Sequence, residues 1–183
     1  MIQWIAFALG SALLGAISWT CLQRPDSHGF YRFFAWEAIL ALIVSDAPNW
    51  FRHGLAWYQI ISWILLCTCI VPLVLGVQAL RTKGRPEKAA RPDPHLLAFE
   101  RTTKLVSSGI YGYIRHPLYT SLLLLGWGVF FKTPSQEGIT LVLLATLFLH
   151  AAAEADEREC ILAFGAPYQE YRTRTKMFIP YVF

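Results

Sequence analysis

The sequence predicts an all-α, polytopic membrane protein: about five transmembrane helices, the last two as a short helical hairpin, and an interfacial helix near the C-terminus. Three observations carry this. Hydrophobic residues make up 55% of the 183 positions and charged residues 15%, against about 25% charged in soluble domains. Mean hydropathy is +0.41, and a small soluble domain buries too little of its chain to hide that much apolar surface. Residues 1–22 and 55–80 contain no charged side chain, and about 20 helical residues cross a hydrocarbon core of roughly 30 Å. The Trp and Tyr content, seven and eight, suits anchoring at the bilayer interface.

Residues 1–22 read as a retained first span, because a cleaved leader wants a basic start and no basic residue precedes Arg24. Ser11 and Gly15, four apart, allow close helix packing. Residues 23–29 form a polar turn. The second span, residues 31–45, carries Glu37, expected to pair with Arg32 or Arg24; Pro48 ends it. Trp50, Phe51, Arg52 and His53 read as an interface. The third span, residues 55–80, holds Pro72, a kink site.

Residues 81–104 break the composition. They hold seven of the sixteen basic residues, and Pro86, Pro92 and Pro94 argue against a continuous helix. This divides the chain into N-terminal helices, residues 1–81, and a catalytic half, residues 82–183. The short apolar runs 118–131 and 139–153 form the hairpin around a turn at 132–138. Beyond Glu154 the chain turns charged, with aromatics spaced among charges as in an interfacial helix. Net charge is +4. Basic residues gather in 81–104 and in the tail, which predicts an outside N-terminus and a cytoplasmic C-terminus.

No basic face interleaves with exposed aromatics, so nucleic-acid binding is not expected. Cys21, Cys67, Cys69 and Cys160 lack metal-ligand spacing, and no metal is expected. Zinc-protease, Walker, nucleophile-elbow and dinucleotide motifs are absent. His28, His53 and His95 read as loop residues, which excludes paired intramembrane haem ligands. No repeated halves point to a transporter.

The chemistry concentrates at residues 103–119. Pro117 welcomes a helix start and makes His116 extended. The free N–H groups of that helix suit an anionic ligand group. Gly109 and Gly112 permit close backbone approach, and Tyr111, Tyr113 and Tyr119 add rings and hydroxyls. The hairpin returns Asp156-Glu157 to the same side, where a carboxylate can bind hydroxyls, an amine or a sulfonium. His150, four residues before Glu154, reads as a partner of that acid or an interfacial residue.

Gly109-Ile-Tyr-Gly-Tyr-Ile-Arg-His-Pro-Leu-Tyr119, the hairpin, Asp156-Glu157, Phe164-Gly165, Tyr168, Tyr171 and the closing Phe178-Ile-Pro180 resemble the isoprenylcysteine carboxyl methyltransferase family. Phospholipid N-methyltransferases belong to the same broader group. The resemblance covers about residues 95–181. It implies a membrane methyltransferase using S-adenosyl-L-methionine, with its site on the cytoplasmic side. By position, Thr103, Lys104, Leu105, Val106, Tyr111, His116, Pro117, Leu118 and Tyr119 line the cofactor pocket, and Asp156 or Glu157 supplies a carboxylate. Arg115, His116 and Glu157 are the catalytic candidates: a cation toward the acceptor, and a base for an ammonium acceptor. The chain departs from the carboxyl methyltransferases at Ala152, where those place a substrate-side Arg four residues before the acid; Arg115 or Arg158 would have to substitute. The expected partners are the bilayer and a lipophilic or lipid-attached methyl acceptor. A phospholipid amine or small thiol is the alternative acceptor, and a non-catalytic membrane scaffold or accessory protein the alternative from another class.

Overall fold

In the computed structural model the described residues are 2–51, 56–84 and 100–182. The expectations for Arg52 and His53 and for Pro86, Pro92 and Pro94 fall outside them. The elements are α1 (Ile2–Leu22), α2 (His28–Asp46), α3 (Trp57–Thr68), α4 (Ile70–Lys83), α5 (Pro117–Phe130), α6 (Gln136–Phe164) and α7 (Ala166–Arg174). Short 3-10 turns occupy Ala47–Asn49 and Gly109–Gly112. Among the described residues there is no strand, only one parallel bridge between Ile114 and Lys176.

Each boundary has a local cause. Ser27 caps α2 by accepting from the Phe30 N–H, and Ser135 caps α6 by accepting from Gly138. Pro117 opens α5, where its missing N–H costs nothing. The kink expected at Pro72 appears as a break at Cys69 between α3 and α4. Proline cannot donate to the carbonyl four residues earlier, that of Thr68, so the ladder is interrupted there.

Among the described residues, three stretches are long and apolar enough to cross a membrane: Ile2–Leu22, Trp57–Lys83 and Gln136–Phe164. The protein is an integral membrane protein. The last of these corrects the expected short hairpin. α5 has 14 residues, but α6 has 29 and runs straight through the charged stretch after Glu154. The change from apolar to charged marks where solvation changes. It does not stop a helix rich in Ala, Glu and Arg, all good helix formers. α6 ends at Gly165, whose φ of 62° is open to glycine.

α2 packs on α6, α5 and α1, while α5 also meets α3 and α4. The buried centre lies among α2, α5 and α6, with Ala35, Ile39, Leu42, Val129, Val142 and Leu149. Glu37 accepts from Ser11 at 2.5 Å, joining α1 to α2. This replaces the expected pairing with Arg32 or Arg24, because Arg32 is taken by Glu100 at 2.6 Å. Close approach of α1 falls at Gly10, against Leu40, whereas nothing comes near Gly15. At the bundle end remote from Asp156, buried Lys132 donates to Gln59 and lies 3.5 Å from the centre of the Trp63 ring.

Candidate active site

Backbone pairing builds one end of the bundle. Arg115 N–H donates to the Lys176 carbonyl at 2.8 Å, His116 N–H to Met177 at 3.1 Å, and Lys176 N–H to Tyr113 at 3.2 Å. The tail is thereby zipped to the segment entering α5. The Tyr171 hydroxyl donates to the Tyr111 carbonyl at 2.7 Å, which ties α7 to the 3-10 turn. At the end of α4, the Gly84 carbonyl accepts from Thr103 and Lys104. A Cβ on Gly84 would lie 2.4 Å from Thr102, so only glycine allows this approach.

These connections enclose a cavity of roughly 100 Å³, open to solvent. Of the residues expected to hold a cofactor, Leu105, Val106, Tyr111, His116, Pro117, Leu118, Tyr119 and Asp156 are on its wall, with Arg115. Thr103, Lys104 and Glu157 are not; Thr102 takes the place of its neighbour. Leu118 and Tyr119 lie in the first turn of α5, whose N–H groups have no acceptor within the helix. The first 81 residues also contribute, through His28 and Leu80.

The two adjacent acids have different surroundings. Glu157 is 4% exposed. Arg115 Nε reaches its Oε1 at 2.7 Å, Arg172 Nε its Oε2 at 2.8 Å, and His116 Nε2 its Oε1 at 3.3 Å. Arg115 also donates to the carbonyls of Thr175 and Arg172. Asp156 is freer: His116 Nδ1 stands 3.4 Å from its Oδ2, and the residue lines the cavity.

His116 is buried between these carboxylates and stacks on Tyr119 with ring centres 5.6 Å apart. Burial opposes its charged form, but Asp156 and Glu157 outweigh that and raise its pKa above the ordinary imidazole value. Burial pushes the phenols of Tyr111, Tyr168 and Tyr171 up, so they remain protonated at neutral pH.

Behind this lies a second charged layer. His28 Nδ1 meets Glu159 at 2.7 Å, and Glu100 binds Arg32. His28 therefore opens α2 as a buried residue, contrary to its reading as a loop histidine. The spacing of His28 and Arg32, four residues apart on one helical face, was the available signal. Glu100 carried none, because its partners are remote in sequence. His28, Asp156 and Glu159 also bring one ligand-type atom each within 4.8 Å of one another, but His28 already spends its Nδ1 on Glu159.

An apolar groove of roughly 550 Å³ lies on the flank of the bundle, with Leu65 of α3, Leu124 and Trp127 of α5, His150 of α6 and Phe178 and Ile179 of the tail on its wall. Phe178 separates it from the first cavity: its ring centre is 6.1 Å from that of His116 and 6.2 Å from that of His150. Ala152 is fully buried among Ala35, Leu149 and Ala153 and reaches neither space.

Fold and site define a helical membrane protein with a polar cavity at one end of an apolar bundle. Residues 95–163 match the family model described as phospholipid methyltransferase. Methanethiol S-methyltransferase 2 of Bradyrhizobium diazoefficiens is 36% identical over 40% of this chain and 28% of its own length. Methanethiol S-methyltransferase of a Pseudomonas species is 24% identical over 81% and 54%. Human protein-S-isoprenylcysteine O-methyltransferase is 27% identical over 89% and 59%. The matches thus span from about a quarter to three-fifths of these relatives. No solved structure matches the chain.

Proposed function

We propose that the protein transfers a methyl group from S-adenosyl-L-methionine to a lipophilic acceptor within the membrane. The observation that carries this is the juxtaposition of a polar cavity and an apolar groove across one side chain, Phe178. A charged, water-soluble donor suits the first space and an apolar acceptor the second. The donor set also fits the cofactor. Asp156 offers a carboxylate for hydroxyl or ammonium groups, Arg115 a cation for a carboxylate, and Tyr111 and Tyr168 ring faces for a cationic centre. The cofactor brings a methyl group already activated on a sulfonium, so the protein has mainly to position it.

In this reading Leu105, Val106, Pro117, Leu118 and Tyr119 wall the cofactor, and Thr103 and Lys104 support the wall through Gly84. Glu157 holds Arg115, Arg172 and His116 in place. The site faces the cytoplasm, with α1, α2, α3–α4, α5 and α6 as five crossings and α7 at the interface, because the basic residues of the sequence gather in 81–104 and in the tail.

The carboxyl O-methyltransferase reading draws support from the human relative, which aligns with most of the chain. A thiol S-methyltransferase reading is favoured by a separate observation: among the described residues of the groove wall there is no Lys or Arg for a carboxylate. A transfer assay with labelled methyl donor across prenylcysteine, phospholipid and alkylthiol acceptors tests the proposal. Label should enter at least one of them. Absence of transfer to all three, with no calorimetric response to the donor or its demethylated product, would sink it.

A further inference from the structure

We infer that His28, held by Glu159, is the hydrogen-bond donor that recognises the purine ring of the methyl donor. This rests on the donor-binding reading above and assigns its nucleoside end to a residue outside the segment 95–163 that the family model matches.

His28 opens α2 and is 1% exposed, yet it is on the wall of the polar cavity. Glu159 of α6 holds it twice. Its Oε1 accepts from the His28 backbone N–H at 2.9 Å, and its Oε2 stands 2.7 Å from ring Nδ1. Two contacts from one carboxylate fix both the backbone and the rotamer of His28, and they draw the Nδ1 proton toward Glu159. Glu159 is not on the cavity wall, so the other ring nitrogen, Nε2, is the one turned to the cavity. The carboxylate facing Nε2 is Glu100, at 3.8 Å, which is beyond hydrogen-bond reach. Asp156 brings an oxygen within 4.8 Å of a ring nitrogen. Three acids around one ring compensate the charge of an imidazolium, in which Nε2 also carries a proton. The cavity therefore holds a buried N–H with no acceptor at hydrogen-bond distance among the described residues, and such a group is costly until a ligand satisfies it.

The neighbours select the ligand atom. In contact order the polar side chains of this end run Arg115, Glu157, His116, Asp156 and His28. Phe178 leans on His116, which puts the reacting centre beside His116, at the boundary with the groove. Arg115 lies to one side and suits the donor's carboxylate. Asp156 lies to the other and suits the protons of the ribose hydroxyls. His28 comes next, where the base follows the ribose. An N–H donor needs an acceptor that carries no proton, and the purine ring nitrogens are of that kind. Leu80, Leu105 and Val106 of the same wall give the ring apolar surface.

The test is calorimetric titration of S-adenosyl-L-homocysteine, and of its single-deaza analogues, into the detergent-purified full chain. Each analogue has one purine ring nitrogen replaced by C–H. Wild type should bind one analogue about 10–100-fold more weakly than the parent, the range for a hydrogen bond to a charged group, and the others within a few-fold. In His28→Ala the parent should weaken by the same factor, and the discrimination against that analogue should vanish. His28→Gln keeps an N–H donor near the position of Nε2 and should recover part of both, which also covers a failure of His28→Ala to fold. Equal binding of all analogues by wild type would overturn the assignment. So would an equal loss for parent and every analogue in His28→Ala, the mark of a purely structural role. Unchanged parent affinity in His28→Ala would leave His28 to its carboxylate pairs alone, with donor binding still standing. No binding of the parent to wild type would remove the donor reading, and this inference with it.

Discussion

The polar cavity and the apolar groove are separated by one ring, that of Phe178, yet they are built on opposite principles. At the cavity end, charges are paired: Arg115 and the exposed Arg172 on Glu157, His116 between two acids, Arg32 on Glu100, His28 on Glu159. In the groove the wall is mostly aliphatic and aromatic, with Thr120, Thr146 and one histidine among its described residues. Paired buried charges contribute little net stability, but breaking one pair leaves its partner stranded. The cavity end is therefore held in one geometry by charge, and the groove by packing alone. In the proposed function the first region would hold the charged donor and the second the apolar acceptor.

The comparison breaks most sharply at Glu157. Glu157→Ala strands the buried Arg115 guanidinium and His116, and should cost about 3–5 kcal/mol of stability, read by denaturation in detergent. A loss no larger than that of a surface carboxylate would mean that the network does not organise this end. Next comes Gly84→Ala. Its Cβ would meet Thr102 and the Leu80 carbonyl at 2.4 and 2.6 Å, and such overpacking costs about 1–3 kcal/mol. Because the displaced loop carries Leu105 and Val106, donor affinity should fall too; unchanged affinity would remove the loop from the site.

The smallest effect is the pH response of His116. Its folded pKa is raised above 6.5, so its stabilisation is full below that unfolded value and is lost as pH rises through the folded one. Stability should decline on the alkaline side, and His116→Gln should flatten that decline. A flat wild-type profile across that range would place the proton elsewhere.

Much of this was legible in the sequence, and what was not has physical causes. The apolar stretches at residues 1–22 and 55–80, the Pro117 helix start and the return of Asp156 beside His116 follow from hydropathy, proline stereochemistry and hairpin topology. The length of α6 was hidden because charge reports solvation rather than backbone conformation. The partners of Glu37 and Arg32 were hidden because the nearest opposite charge in sequence was not the nearest in space: Ser11 and Glu100 arrive from other segments. The difference between Asp156 and Glu157 was unreadable for the same reason. Adjacent helical residues point about 100° apart, and only the packed structure decides which one meets the arginines. Ala152, a departure in sequence, lies fully buried beside Ala35, and the polar side chains α6 offers the groove are Thr146 and His150.

The central claim is that the donor binds in the polar cavity through Asp156 and that the groove plays no part in holding it. Calorimetric titration of the demethylated donor into detergent-purified wild type, Asp156→Asn and His150→Gln tests this most directly. The account predicts saturable binding to wild type, unchanged binding to His150→Gln, and affinity about 10–100-fold weaker in Asp156→Asn, the range for a hydrogen bond to a charged group. Equal affinity in wild type and Asp156→Asn, or a loss confined to His150→Gln, would contradict it.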